Sequence, residues 1–451
     1  SADLSRQRPV GYAQAFVGVA PTQRAAYRQF SAITADLGYT VPSPNPFDRR
    51  IDHDTEWRSG QDFGGASINA DLELNSGTVT STTAWRFWNW DPSNDRDFTG
   101  LQALALSQAP SVHEQWSQEI RWAGTLTSKL NGVFGLYALS QTLEADGAHT
   151  EESGRDQWRF SQSSTSALWR TPGLLDGYGI RSYPNLDTLS AAVFGQVDWS
   201  LSDRWSLLIG ARFNYDDKEV DYRRETYGGL QTTDAALLAI KNGVYSNQAF
   251  RAQVDDTNIS GQLTAAYQAS KKVKAFATYA NSYKPVGLNL GGLPTENGRV
   301  MVELAVIRPE EVNHFEVGLK SSPTANSVVN VALFNTAIKD YQTLVQAADL
   351  ALNRGYLANA DKVRVRGLEI DTNAKWNAFS LFGALTYSEG EYVKFTNAPP
   401  PLEETGGPTF KDISGGELPG ISKWAASLGA EVTRQARFFG QNGELFFAGD
   451  T

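Results

Sequence analysis

Apolar and polar residues alternate with a period of two along most of this chain, in blocks of about 10 to 16 residues. From Trp205 to Tyr215, Trp205, Leu207, Ile209, Ala211, Phe213 and Tyr215 are apolar, while Ser206, Gly210, Arg212 and Asn214 separate them, with Leu208 the exception. Leu189–Trp199 sets Val193, Val197 and Trp199 against Ser190, Gln196 and Asp198. Ile259–Gln268 and Leu368–Trp376 behave alike. Successive side chains of a strand point to opposite faces, so each block predicts a strand with one greasy and one wet face. A soluble β-sandwich or propeller would alternate too. Soluble strands centre on five or six residues, however, and these blocks are about twice that, the length a tilted strand needs to cross a bilayer.

The connections point the same way. Short turns are expected at Asn75-Ser76-Gly77, Leu201–Arg204, Ser270-Lys271, Pro323–Asn326 and Trp376-Asn377, and long polar segments at about 90–112, 143–188, 218–252, 285–310, 341–361 and 395–417. Short and long alternate throughout, as in an up-and-down membrane barrel with short periplasmic turns and long extracellular loops. Structureless loops of this size are unusual in a compact soluble domain. The fold class is therefore read as all-β, a transmembrane antiparallel up-and-down β-barrel. About 14 strands are expected over residues 62–451, and one more near Val10–Val19 with a long outer loop completing residues 1–61. That loop carries a helix-like patch at Thr22–Leu37. Fifteen is an odd count where closed bacterial barrels are even, and Glu444-Leu445-Phe446-Phe447 ends the chain on an aromatic strand. Both features suggest a piece of something larger.

Composition sharpens this picture in three respects. A mean hydropathy of −0.37, with no apolar run of transmembrane length, leaves helical membrane crossing without support. The 12 Trp and 17 Tyr suit interfacial girdles, and Trp85, Trp88, Trp116, Trp122, Trp199, Trp205, Tyr279 and Tyr283 fall near block ends. A net charge of −10 argues against a nucleic-acid partner. No cysteine is present to form a disulfide or thiolate site.

Several segments resemble TonB-dependent outer-membrane receptors. They are Ser117-Gln118-Glu119-Ile120-Arg121, Ala275–Ala280 with Tyr283–Asn289, Arg308-Pro309-Glu310 followed by Phe315–Lys320, Phe334–Gln342, and Arg366-Gly367-Leu368-Glu369. They occur in the family's order across residues 62–451. The resemblance implies the barrel portion of a 22-stranded receptor in a Gram-negative outer membrane, without the plug domain that fills such barrels. It further implies uptake of a scarce nutrient, most often a ferric siderophore, through plug movement driven by the TonB-ExbB-ExbD complex. Carbohydrate, cobalamin or aromatic substrates, or a non-energised porin-like barrel, are the alternatives.

Glu316, Lys320 and Glu369 have the parity of the wet face and are expected to line the lumen, facing the plug. Arg366 joins them only if Gly367 marks a bulge. Ion pairing within the wall is the plainer role for all four. Ligand contact is expected from the loops. Trp158, Arg159, Trp169, Arg170, Tyr178, Arg181 and Tyr183 in the 143–188 segment, with Trp88 and Trp90, offer aromatic planes beside guanidinium groups, a combination suited to a flat anionic ligand. The competing reading is that they pack the loop on itself. His53, His113, His149 and His314 have no zinc or haem spacing, no catalytic motif is present, and no cofactor is expected. Asp216-Asp217, Asp255-Asp256 and Glu403-Glu404 read as solvated rims, with calcium as the alternative.

Overall fold

The computed structural model describes residues 1–10, 14–296, 298–346, 355–408 and 410–451. Its dominant element is one antiparallel sheet. After a short first strand, Ala2–Gln7, come Arg58–Leu74, Gly77–Ser93, Ser111–Thr127, Leu130–Ala145, Gly179–Ser200, Trp205–Tyr227, Gln248–Ser270, Val273–Lys284, Glu310–Ser321, Ser327–Gln346, Gly355–Trp376, Phe379–Lys394, Trp424–Phe438 and Gln441–Asp450. Each pairs with the next in chain order. Two short loop strands, Leu104–Gln108 and His149–Ser153, pair with each other over the long-loop end.

The two faces differ as the alternation requires. Ile120, Leu136, Val193, Phe213 and Ile259 oppose one another directly across five neighbouring strands, and all five are exposed. In water this apolar stripe would be costly; against lipid tails it is at home. Aromatics bracket it. Trp205 packs on Tyr267 and Trp376 on Phe379 beside short turns. Trp85 packs on Trp116, and Tyr387 on Trp424, further toward the long loops. The opposite face is polar: Arg212 donates from Nε to Asn214 Oδ1 at 2.6 Å, and Thr264 bonds Thr278 at 2.9 Å.

The predicted turns all lie between strands, but the strands run further than the alternation implied. Residues 218–227 belong to a strand, not a loop, paired with 179–188 and with 248–254. A tilted strand needs only about 9–11 residues to cross the hydrocarbon, so these extensions stand beyond it. There no lipid faces the sheet; one side is charged and the other, with Val220 and Tyr222, is covered by a loop, so the lipid-imposed alternation fades. The first strand is Ala2–Gln7 rather than Val10–Val19: residues 11–13 lie outside the described residues, and 14–20 are not in a strand. The expected helical patch contains Phe30–Asp36.

Apolar cores sit among the loops. The first joins Trp169, Leu174, Tyr178, Ile240 and Tyr245, with Trp158 against them. The second packs Phe395, Ala398 and Leu418 on Val363 and Tyr392. The third folds Leu288, Leu293 and Ala305 onto Val220, Tyr222 and Phe250. The polar face of the sheet is thus capped at one end by loops with cores of their own.

Phenylalanine rings lie over glycines of the neighbouring strand at several heights. Phe334 covers Gly367, Phe276 covers Gly318, and Phe382 covers Gly429; Phe134 and Phe194 cover Gly195 and Gly135. A Cβ at Gly367 would lie 2.8 Å from the Phe334 ring and 2.2 Å from the Tyr387 carbonyl oxygen. Gly367 is therefore a place of close approach and not a bulge, for the ladders on both sides run through it unbroken.

Candidate outer-mouth site

Beneath the loops lies a cavity of about 540 Å³. Strand ends and several separate loops build its wall. Arg58 and Trp90 come from the first hairpin; Trp57 precedes it; Asn94, Asp95, Arg96 and Phe98 follow it. His149 and Glu151 belong to a loop strand, Tyr222 and Arg224 to the upper part of Trp205–Tyr227, and Leu290 and Gly291 to the 285–310 loop. Residues far apart in sequence meet here because long strands carry them to one rim.

The cavity holds three guanidinium groups in defined positions. Arg58 Nε donates to Asp91 at 2.8 Å and its Nη2 to Gln108 at 2.9 Å. Arg96 pairs with Glu151. Arg224 Nε donates to the Ser246 carbonyl at 2.8 Å. Aromatic planes stand between them. Trp90 stacks on Trp88 with centroids 5.5 Å apart, and Tyr222 on Phe250 at 5.0 Å. Trp57 stacks on His53 at 4.4 Å, and its buried indole N–H has no hydrogen-bond acceptor among the described residues. A buried donor left without a partner costs free energy, which a ligand acceptor would relieve. Burial holds the His149 imidazole below its ordinary pKa, so at neutral pH it is uncharged; its Nε2 meets Ser111 Oγ at 3.1 Å.

The structure scatters the residues singled out from sequence. Trp90 lines the cavity, with Trp88 stacked behind it on the polar face. Trp158, Trp169 and Tyr178 belong to the first loop core, Arg170 lies over Trp158 at 4.9 Å, and Arg159 is buried against Asp36 at 2.8 Å. Those five pack the loop on itself and on its neighbours at Asp36 and at Ile240 and Tyr245. Arg181 and Tyr183 have the opposite parity to Ile180 and Ser182, which face the cavity. Instead Arg181 covers Tyr227, and Arg223 covers Tyr183, each at 4.3 Å. Of the four expected lumen residues, Glu316 and Lys320 occupy the polar face, where Glu316 meets His314 at 3.4 Å and Lys320 lies over Phe276 at 5.6 Å. Glu369, opposite Ala332, shares that face. Arg366 does not. Without a bulge it keeps the parity of Leu368 and Ile370 on the apolar face, above the Tyr387–Trp424 girdle, and pairs with Glu389 at 2.8 Å.

Trp57, Arg58, Arg96, Glu151, Tyr222 and Arg224 carry no mark in the sequence, and His149 stands out there only as one of four scattered histidines. Each is individually ordinary, and only strand pairing over some 170 residues of separation, which alternation does not encode, brings them together. Of the doubled acidic residues, Asp216 accepts from Ser190 and Tyr283, Asp217 accepts from Gln253, and Glu404 pairs with Lys411.

Comparison with known proteins gives a consistent result. The family profile described as "TonB dependent receptor-like, beta-barrel" matches residues 8–450. The pesticin receptor of Yersinia enterocolitica is 25% identical over 194 residues, 43% of this chain and 24% of the relative. A probable TonB-dependent siderophore receptor, PiuA of Acinetobacter baumannii, is 25% identical over 257 residues, 55% of this chain and 30% of the relative. Among solved structures, the ferric yersiniabactin uptake receptor of Yersinia pestis superposes with a TM-score of 0.62 at 18% identity, over 87% of this chain and 49% of that one. The ferric-catecholate import receptor Fiu of E. coli K12 superposes at 0.58 and 15% identity, over 96% and 58%. The chain thus spans about a quarter to a third of the curated relatives it matches, and about half of the solved receptors.

Proposed function

Because the chain belongs to the TonB-dependent receptor β-barrel family, whose members are transporters of the Gram-negative outer membrane and not enzymes, we propose that its outer-mouth cavity captures an anionic ferric siderophore for uptake. The observation that carries this reading is the cavity itself. Within one space of ligand size, Arg58, Arg96 and Arg224 supply positive charge, Trp90 and Tyr222 supply flat faces, and Trp57 supplies a buried, unanswered N–H donor. Aromatic planes beside guanidinium groups suit the delocalised, negatively charged rim of a catecholate or carboxylate complex. The relatives named above, which include siderophore receptors, favour the same class.

Ligand seated here would lie over the polar face of the sheet, with Glu316, Lys320 and Glu369 along the route below. Passage down that route is proposed to depend on a plug domain moved by the TonB-ExbB-ExbD complex. The test is uptake of radioactive iron by cells carrying the native full-length receptor, supplied with catecholate and carboxylate chelates in turn. Trp90→Ala should weaken saturation by the transported chelate by about 1–2 kcal/mol, or roughly 5- to 30-fold in half-saturating concentration. Uptake of no iron chelate, with carbohydrate, cobalamin or an aromatic acid transported instead, would replace the siderophore assignment.

A further inference from the structure

We propose that Asp54, Asp95 and Asp97 form a calcium site that ties the 94–104 loop to the segment preceding the first long hairpin. One carboxylate oxygen from each lies within 4.8 Å of the other two, about the span across an ion whose Ca–O bonds are roughly 2.4 Å. Proximity of acidic groups alone would not make a site. What distinguishes this one is Asp95. Its side chain is wholly buried, and its Oδ1 accepts from the backbone N–H groups of Asp97 and Phe98, both at 3.2 Å. Yet Oδ2 is buried with no hydrogen-bond donor among the described residues. A desolvated anionic oxygen without a partner is strongly disfavoured, and here two further carboxylates stand beside it. A bound cation answers all three at once.

The surroundings agree. Asp97 Oδ1 accepts from Thr99 N and Oγ, and its Oδ2 from Leu104 N, so the loop is folded around this carboxylate. Asp52, held by the Tyr39 hydroxyl at 2.8 Å, and Asp156, which accepts from Gln102 N, add negative charge nearby. Burial and mutual repulsion hold all three aspartates above the usual carboxylate range. An all-oxygen donor set suits a hard cation, and three carboxylates from two separate segments suit calcium, which accepts flexible coordination, better than magnesium, which demands a near-ideal octahedron. Asp54 is exposed and gives the ion its way in.

Asp95 also borders the outer-mouth cavity, but the ligand assigned there plays no part in this inference, so the test is calcium binding itself. Isothermal titration of the detergent-solubilised native receptor with calcium chloride, after chelation, should show one site at or below about 10⁻³ M, as in extracellular calcium modules. Exposed Asp54→Asn should weaken it about tenfold or more through loss of ligand charge, and magnesium should compete poorly. Amide exchange of residues 94–104 should slow on calcium addition in the wild type. Equal calcium affinity in wild type and Asp54→Asn, or no binding and no change in exchange at ten times that concentration, would overturn the proposal.

Discussion

Asp36 and Arg159 form one ion pair, yet removing either partner should have different consequences. The Arg159 side chain is 2% exposed and Asp36 is 50% exposed, with Nε and Oδ2 2.8 Å apart. Arg159 also carries a buried Nη1 without a partner. Asp36→Ala strands a buried guanidinium, a change that costs about 3–5 kcal/mol when a pair is fully buried. Water reaches half of Asp36, so partial screening lowers this to about 2–3 kcal/mol. Arg159→Met removes the buried charge, keeps most of the stem volume and returns Asp36 to water, at a cost of about 0–1 kcal/mol. The pair joins helix Phe30–Asp36 to Gln157–Ser161, so the loss is local to the outer loops. Whole-barrel melting would miss it. Hydrogen exchange of the amides in 30–36 and 157–161, measured on the solubilised native receptor, should show protection falling roughly 30- to 150-fold in Asp36→Ala and little change in Arg159→Met. A larger loss in Arg159→Met would refute the reasoning, because the contact would then be net stabilising and not a buried charge kept tolerable by its partner.

Three further outcomes can be checked. Asp54 is pushed up to about 6, and Asp95 and Asp97 are raised by burial and repulsion. Raised acids favour the folded loop in its protonated form. With calcium chelated, its stability should therefore be complete below about pH 4 and fall as pH rises through 6. Exchange protection in 94–104, corrected for intrinsic rates, should be lower at pH 8 than at pH 5, and the opposite order would contradict the described crowding. Gly367→Val should block or slow barrel assembly, read as loss of heat-modifiable migration on gels, because its Cβ meets backbone at 2.2 Å. Gly383→Ala, whose Cβ finds neighbours no nearer than 3.5 Å, should assemble normally. In the wall, Glu389→Ala should leave stability nearly unchanged, since both it and Arg366 are substantially exposed; a clear fall in unfolding free energy in urea titrations would show that the pair is shielded by lipid.

The wall was legible in the sequence because lipid on one side and a polar lumen on the other impose alternation residue by residue. Trp205–Tyr215 and Ile259–Gln268 could be read directly, and so could the turns. Where that contrast ends, so did legibility. Lys218–Tyr227 is as regular a strand as the segment before it, but lipid no longer faces it: one side is charged, and Val220 and Tyr222 on the other pack under a loop. Arg366 was placed inside only on the condition of a bulge, and the condition fails because Gly367 makes room for a ring instead. The loop aromatics show a different limit. Trp158, Trp169 and Tyr178 carry the chemistry of a binding surface and are used as a core, since a loop of that length needs apolar mass to hold its shape. Trp57 and Arg224, by contrast, gain their significance only from neighbours the sequence does not bring near.

The rings over glycines have a consequence for how the wall is aligned during assembly. A lipid-facing strand of repeating apolar residues can slide by two positions and still present the right face, so alternation alone is a poor ruler. A phenylalanine that fits only where its neighbour has no side chain marks one position out of several. Phe276 on Gly318, Phe334 on Gly367 and Phe382 on Gly429 repeat this mark along the chain, each fixing one hairpin or strand pair against its neighbour, as a vernier scale fixes position where a plain grating would not.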